Sequence, residues 1–256
     1  MFWRAMVATI SAAGLAAAAL LAPAGADVST IANKPRISAG STAVSSAGWS
    51  SSNWSGYAVT STGTPFTTIT GTWKVPTAAP TKTATYSSNW IGIDGFNDSS
   101  LIQTGTESDY YNRAAHYAVW WEILPAAETP ITTMTVHPGD TMTASIARGT
   151  NSVWTITITD ASTGQSSTTS HTYTGPLTSA EWIEEAPTVG GRVAPLAHYG
   201  SATFDPGTVN GATPSFTASE SGVMVQKNVQ VSTPSVPDVE ADGFNVAYGS
   251  TAPAAP

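Results

Sequence analysis

The chain has no cysteine. Disulfide staples and thiol catalysis are therefore excluded, and stability must come from a core of ordinary packing. Charge is scarce as well. Lys, Arg, Asp and Glu make up 10% of the 256 residues, against the usual quarter. Nine basic and seventeen acidic side chains give a formal net charge of −8. No basic stripe exists to meet phosphates, which argues against nucleic-acid binding. The sequence also lacks a His-Glu-x-x-His spacing, a Gly-x-Ser-x-Gly elbow and a Gly-rich loop opening a helix. No metal and no cofactor is expected. His116, His137, His171 and His198 are scattered without a compelling acidic partner in sequence, so a Ser-His-Asp triad would have to be assembled from distant segments. Beyond the N-terminal run, no segment sustains a 3.6-residue apolar period.

What is present begins with that run. Arg4 is followed by the Ala- and Leu-rich stretch Met6 to Leu21 and by the small residues Ala24-Gly25-Ala26. This is the pattern of a secretory signal over residues 1–26, with a short membrane span as the alternative. A secreted, extracellular protein with no membrane attachment after signal removal is expected. Residues 27–50, rich in Ser, Ala and Gly, read as a linker or short propeptide, with Lys34-Pro35-Arg36 as a candidate processing point. Residues 236–256 end in Thr251-Ala252-Pro253-Ala254-Ala255-Pro256, and their composition predicts a disordered tail. Residues 51–235 form one domain of uniform texture. Nine Trp, eight Tyr and six Phe can build its core. A surface rich in Ser and Thr has few groups that change charge in acid, which suits an acidic extracellular setting.

The texture is β. Val153 to Thr159 alternates large apolar residues with Thr, Thr141 to Ile146 does the same, and Ile69, Gly71, Trp73 and Val75 share one side of Phe66–Val75. Gly139-Asp140 reads as a hairpin turn after a strand at Thr132–His137, and Asp160 to Gly164 as a turn before Ser167–Tyr173. Short alternating strands at about ten-residue spacing predict an all-β, antiparallel sandwich or barrel. Tyr117–Leu124 is different. It carries Tyr117, Val119, Trp121 and Ile123 on one side, and Ala118, Trp120, Glu122 and Leu124 on the other. Its second face is either a binding groove or a second buried face.

Carboxylates and an amide remain as chemistry. Asp94, Glu107, Glu122, Glu181, Glu184 and Glu185 fall within strand-like runs, where acidic residues are normally depleted. Alternation puts Glu181, Ile183 and Glu185 on one side and Trp182 with Glu184 on the other. Gln103 shares a side with Leu101 and Gly105; taken alone, a strand Gln is a surface residue.

Seven segments change that reading. They are Ser52-Asn53-Trp54-Ser55-Gly56, Trp90-Ile91-Gly92-Ile93-Asp94-Gly95, Ile102-Gln103-Thr104-Gly105, Trp120-Trp121-Glu122 with Pro125, Gly139-Asp140, Thr163-Gly164-Gln165 and Ala180-Glu181-Trp182-Ile183-Glu184-Glu185. In this order, over about Ser52 to Phe204, the chain resembles the glutamic peptidases, or eqolisins. The resemblance implies a jelly-roll or lectin-like sandwich of two large antiparallel sheets and an acid-acting endopeptidase with a protein or peptide substrate, here expected to be a monomer. It places the catalytic pair on Gln103 and Glu185. Trp54, Trp90, Asp94, Glu107, Trp120 and Glu122 would bind substrate or support the pair, with Glu122 and Asp94 orienting it and Trp120 lining a pocket. Glu184 departs from the family, which usually has an apolar residue there, and Glu107 stands where relatives carry Asp. A general base with a near-normal pKa would be ionised in mild acid, where a histidine would be protonated. The competing readings are a carbohydrate-binding sandwich, a glycoside hydrolase using Glu122 and Glu185, and an inactive relative that keeps only the groove.

Overall fold

The computed structural model describes residues 48–256 together with the backbone pair 31–32. The expected signal segment and most of residues 27–50, including Lys34-Pro35-Arg36, lie outside the described residues. In chain order the strands are β1 (Ile31–Ala32), β2 (Trp49–Ser51), β3 (Trp54–Thr60), β4 (Thr68–Lys74), β5 (Ser88–Ile93), β6 (Ile102–Tyr111), β7 (Ala114–Ile123), β8 (Thr129–Pro130), β9 (Thr141–Arg148), β10 (Val153–Asp160), β11 (Ser166–Thr172), β12 (Ser179–Glu185), β13 (Thr188–Val189), β14 (Arg192–Val193), β15 (Ser201–Val209), β16 (Ser221–Gln226), β17 (Val229–Pro234) and β18 (Phe244–Tyr248).

Hydrogen bonding joins most of these into one ladder, β11-β10-β9-β4-β15-β18-β17-β16-β3-β12-β5-β6-β7-β8. All its pairs are antiparallel; β2 adds to β16 in parallel. The ladder folds back on itself so that β4 meets β5, β6 meets β9 and β10, and β12 meets β15. The result is the expected two-layer sandwich. β9 and β10 alternate as their sequences require. Met142, Ala144, Ile146, Trp154, Ile156 and Ile158 point into the core, while the opposite face carries Thr and Ser hydroxyl pairs such as Thr157–Thr168 and Thr159–Ser166. The core between the layers also takes Tyr57, Trp73, Ile91, Ile102, Val119, Trp182 and Phe204. Two indoles bolt the layers together across this core: Trp73 Nε1 donates to Thr106 Oγ1 at 2.9 Å and Trp182 Nε1 donates to the Thr70 carbonyl at 2.9 Å. Buried donors satisfied in this way fix register as well as distance.

Three sequence expectations need correction. The tail predicted to be disordered from Val236 contains β18, which pairs with both β15 and β17. Phe-Asn-Val-Ala-Tyr is itself a period-two run, and Phe244 and Val246 are fully buried. The Ala-Pro ending hid that strand, and the domain therefore runs to Tyr248 rather than to residue 235. At the other end, Trp49 and Ser50 belong to β2 and not to a linker, and Ile31–Ala32 pairs with Val189 and Thr188. Finally, Thr132–His137 is not a strand. Met134 and Val136 are buried by alternation as expected, but no neighbouring strand accepts their backbone. The Gly139-Asp140 turn does exist, closed by bonds between Val75 and both of its residues.

Phe244 stacks on Phe204 at 5.1 Å and leans on Tyr57 at 4.6 Å. Phe244→Ala is therefore expected to cost about 3–5 kcal/mol in a denaturant titration. A loose tail would give no change.

Candidate active site

The layer β3-β12-β5-β6-β7 has a second face turned away from the core. Residues directly opposite one another on paired strands share a face, so register assigns its members. On β12, Glu185 opposes Ser88 and Trp54, Ile183 opposes Trp90 and Gly56, and Glu181 opposes Gly92 and Ala58. On β6, Glu107 opposes Ser88, Gly105 opposes Trp90 and Gln103 opposes Gly92. On β7, Ala118, Trp120 and Glu122 oppose Glu107, Gly105 and Gln103. One face thus gathers Gln103, Glu107, Glu122, Glu181 and Glu185 around an apolar cluster of Trp54, Trp90, Leu101, Trp120 and Ile183. The second face of β7 is a side-chain-bearing site face, buried throughout at Trp120 and Glu122.

Glu184 and Glu185 part as alternation requires. Glu184 turns to the core side with Trp182, where Asn89 Nδ2 donates to its Oε2 at 2.6 Å. Glu185 turns to the site face. Asn53 Nδ2 donates to its Oε1 and Trp90 Nε1 to its Oε2, both at 2.9 Å. Asn53 is held in turn by backbone, because its carbonyl accepts the amide of Ala186. Trp90 reaches Glu185 because Gly105 lets it pass: a Cβ on Gly105 would collide with Trp90 Cβ and the Asn89 carbonyl. Trp54 packs edge-on against Trp90 at 4.9 Å. Across the face, Gln103 Nε2 donates to Glu122 Oε2 at 2.6 Å.

The electrostatics depart from the expected near-normal base. Burial lifts the Glu185 pKa well above the ordinary carboxyl range, and the charge of Glu122 lifts it further; the bonds from Trp90 and Asn53 oppose this without cancelling it. A carboxyl taken from water loses its charged form first. Burial likewise raises Glu181 and Glu184, opposed by Ser179 and by Asn89 respectively. Glu107 shares a buried corner with Asp109 and Glu128. Burial raises it most, and the two neighbouring carboxyls add to that. Asp109 is pushed up to about 7, again by burial, against a bond from the Ser87 amide.

Of the eight residues singled out in the sequence, seven lie on this face. Asp94 lies apart from them. It ends β5 with φ at 70°, and its oxygens accept from Tyr173 Oη at 2.6 Å and the Thr178 amide at 2.8 Å. It clamps the segment leading into β12 onto the end of β5. Asn53 was missed as a site residue, although the Ser52-Asn53-Trp54 segment carried the signal. Asn53-Trp54-Ser55 and Asn97-Asp98-Ser99 both fit the glycosylation acceptor pattern; Asn53 is buried and bonded to Glu185, whereas Asn97 is exposed. Among the described residues, the acidic group close enough to hold a cation is Asp205, Asp238 and Asp242, on β15 and the β17–β18 loop rather than on the site strands.

The two-layer antiparallel sandwich is a fold shared with solved glutamic-peptidase structures. The profile of the Peptidase A4 family matches residues 52–248, and the chain belongs to that family. It is 29% identical over 180 residues to aspergillopepsin-2 of Aspergillus niger, covering 60% of this chain and 62% of that protein. It is 31% identical over 139 residues to scytalidopepsin B of Scytalidium lignicola, covering 52% and 51%. The chain thus spans between half and two thirds of the length of these curated relatives. The crystal structure of scytalido-glutamic peptidase with a transition state analog inhibitor superposes with a TM-score of 0.64 at 23% identity, over 77% of this chain and 98% of that one. That likeness concerns the fold.

Proposed function

We propose that the protein is a secreted endopeptidase working on the acid side of neutrality, with Glu185 as general base and Gln103 as the group that holds the water and stabilises the oxyanion. The supporting observation is Glu122, which accepts from Gln103 and raises the pKa of Glu185, so both members of the pair answer to one neighbour. The family relatives bear peptidase names, which agrees with this reading. No metal or cofactor is required, and the chain acts as a monomer on protein or peptide substrates. Residues 1–26 would be removed as a signal, and the segment from residue 27 up to β2, which begins at Trp49, as a propeptide. Among the described residues, no helix is long and apolar enough to cross a membrane.

The chemistry closes on two groups. Glu185 takes a proton from water as the water oxygen bonds to the scissile carbonyl carbon. The carbonyl oxygen becomes anionic and accepts from Gln103 Nε2. An amide nitrogen carries two hydrogens, so one bond to Glu122 and one to the oxyanion are compatible. The carbon–nitrogen bond then breaks and Glu185 returns its proton to the leaving nitrogen. Asn53 and Trp90 each give Glu185 one N–H, which holds both oxygens in place and favours its charged form. Trp120, buried with no acceptor for its Nε1 among the described residues, offers a donor to a substrate carbonyl.

The raised Glu185 pKa sets the acid limb of kcat/KM, because the base must be ionised to act. Removing the charge of Glu122 lowers that pKa, so Glu122→Gln is expected to move the acid limb to lower pH. Asn53→Ala removes a bond that lowers the pKa, so its acid limb moves the other way, with a loss of roughly 10- to 100-fold at the plateau. Two limbs moving in the same direction would contradict the assignment. Cleavage of a denatured protein in acid, insensitive to pepstatin, separates this reading from the carbohydrate one. Retention on an insoluble polysaccharide without proteolysis would support the latter.

A further inference from the structure

Two adjoining cavities lie next to the chain segments that flank Asn53 and Glu185, where Val193 and Val231 pack against the inter-layer core. The first, about 450 Å³, is walled by Ser52, Val193, Ala194, Val225, Val229 and Val231. The second, about 430 Å³, continues past Leu196 to Lys82, His198 and Tyr248. They share Pro195, Gln226 and Val231. Their floor is tied to the proposed catalytic residues from both sides. Ser52 precedes Asn53, the donor to Glu185. The Ala194 amide donates to the carbonyl of Pro187, two residues beyond Glu185. Gln226 braces the junction: its Nε2 donates to the Ala194 carbonyl at 3.0 Å and the Ser52 carbonyl at 3.4 Å, and its Oε1 accepts from the Leu196 amide. A side chain spent on three backbone groups makes this a shaped floor rather than a loose crevice.

The walls have a definite chemistry. Val229 is 60% exposed, and Val193, Val225 and Val231 are only partly covered, so four valines border open space. Among the described residues, no Asp or Glu lines either cavity, in a chain of net charge −8. Instead Lys82 and Lys227 line them, and Arg192 stands beside Val193 in β14. Three of the chain's nine Lys and Arg are concentrated here.

We infer that the two cavities are one extended subsite of the proposed peptidase. It takes an aliphatic substrate side chain in the valine-lined cavity and an acidic side chain beyond it, toward Lys82. The inference rests on the peptidase reading and adds a specificity to it. Lys82 answers an anionic group by charge, and the valines answer an aliphatic one by apolar area removed from water.

The test uses quenched fluorescent peptides with the full chain after acid treatment. One series varies the positions up to five residues on each side of the cleaved bond among Leu, Ser, Glu and Lys. A short control peptide spans only the catalytic residues. Wild type is expected to prefer Leu over Ser at one distal position by about 10-fold in kcat/KM, and Glu over Lys further out by about 3-fold. Val229→Ser with Val231→Ser should erase the first preference, and Lys82→Glu should invert the second. All variants should cleave the control peptide at the wild-type rate. Wild type that cleaves with no distal preference overturns the subsite alone, as do preferences that survive both sets of substitutions. Wild type that cleaves no peptide overturns the peptidase reading, and the subsite with it.

Discussion

Glu185→Gln is expected to abolish peptide cleavage, lowering kcat/KM by at least about 10³-fold, while the protein stays folded. Gln keeps the shape of Glu and can still meet one of the two donors from Asn53 and Trp90, but it cannot accept a proton from water. Gln103→Ala should cost roughly 10²- to 10³-fold, the usual effect of deleting one oxyanion donor. Gln103→Glu tests the neutral amide. A carboxyl there would oppose Glu122 at hydrogen-bond distance and could donate only while protonated, whereas Glu185 must be ionised to act, so activity should fall at every pH and most steeply on the alkaline side. Glu184→Gln serves as the neighbouring control. Its side chain lies on the core side with Asn89, so it should change stability and leave kcat/KM near wild type. If Glu184→Gln is the dead variant and Glu185→Gln is active, the proposed roles are reversed.

The second large effect is on stability. The protein is expected to be most stable in acid and to lose stability as pH rises toward and past neutrality. Glu107, Asp109, Glu181, Glu184 and Glu185 all have pKa values raised by burial. In the unfolded chain they ionise near pH 4. Between that pH and their folded values, the native state holds more protons than the unfolded state, and stability falls with pH. Their contribution is therefore complete below about pH 4 and disappears as pH climbs through the folded values, which for Asp109 is about 7. Each unit of displacement is worth about 1.4 kcal/mol. Several such groups together should lower Tm by on the order of 10 °C between pH 4 and 8. Glu107→Gln and Glu184→Gln should flatten the decline, because neutral isosteres leave nothing to charge. Differential scanning calorimetry across pH measures this directly. A Tm that rises from pH 4 to 7 would contradict it. The same argument implies that Glu185→Gln is inactive yet more stable near neutrality, a trade of stability for function at one carboxyl.

Much of this was legible in the sequence because a strand has only two faces. Alternation alone located the inward residues of β4, β9 and β10, and it separated Glu184 from Glu185 without a structure. It failed where burial and hydrogen bonding diverge. Met134 and Val136 alternate and are buried, yet they belong to a loop, because a strand needs a neighbour and not only a pattern. β18 was hidden by the Ala-Pro composition that follows it, although Phe244, Val246 and Tyr248 keep strand spacing. Asp94 was placed near the site by the resemblance, and the turn at the end of β5 bonds it to Tyr173 and Thr178. The raised pKa of Glu185 could not be read at all. It depends on Glu122, 63 positions away in the chain, and on burial that only the fold creates.

The central assignment is that one water, and then one tetrahedral carbon, meets both Gln103 and Glu185. A crystal structure of the processed protein with a peptide carrying a tetrahedral centre in place of the scissile carbonyl tests this most directly. The expected result is one oxygen of that centre within about 3 Å of the Glu185 carboxyl and the other within about 3 Å of Gln103 Nε2, with Asn53 and Trp90 still bonded to Glu185. A centre lodged against Glu107 or Glu181, or held by only one of the pair, would contradict it.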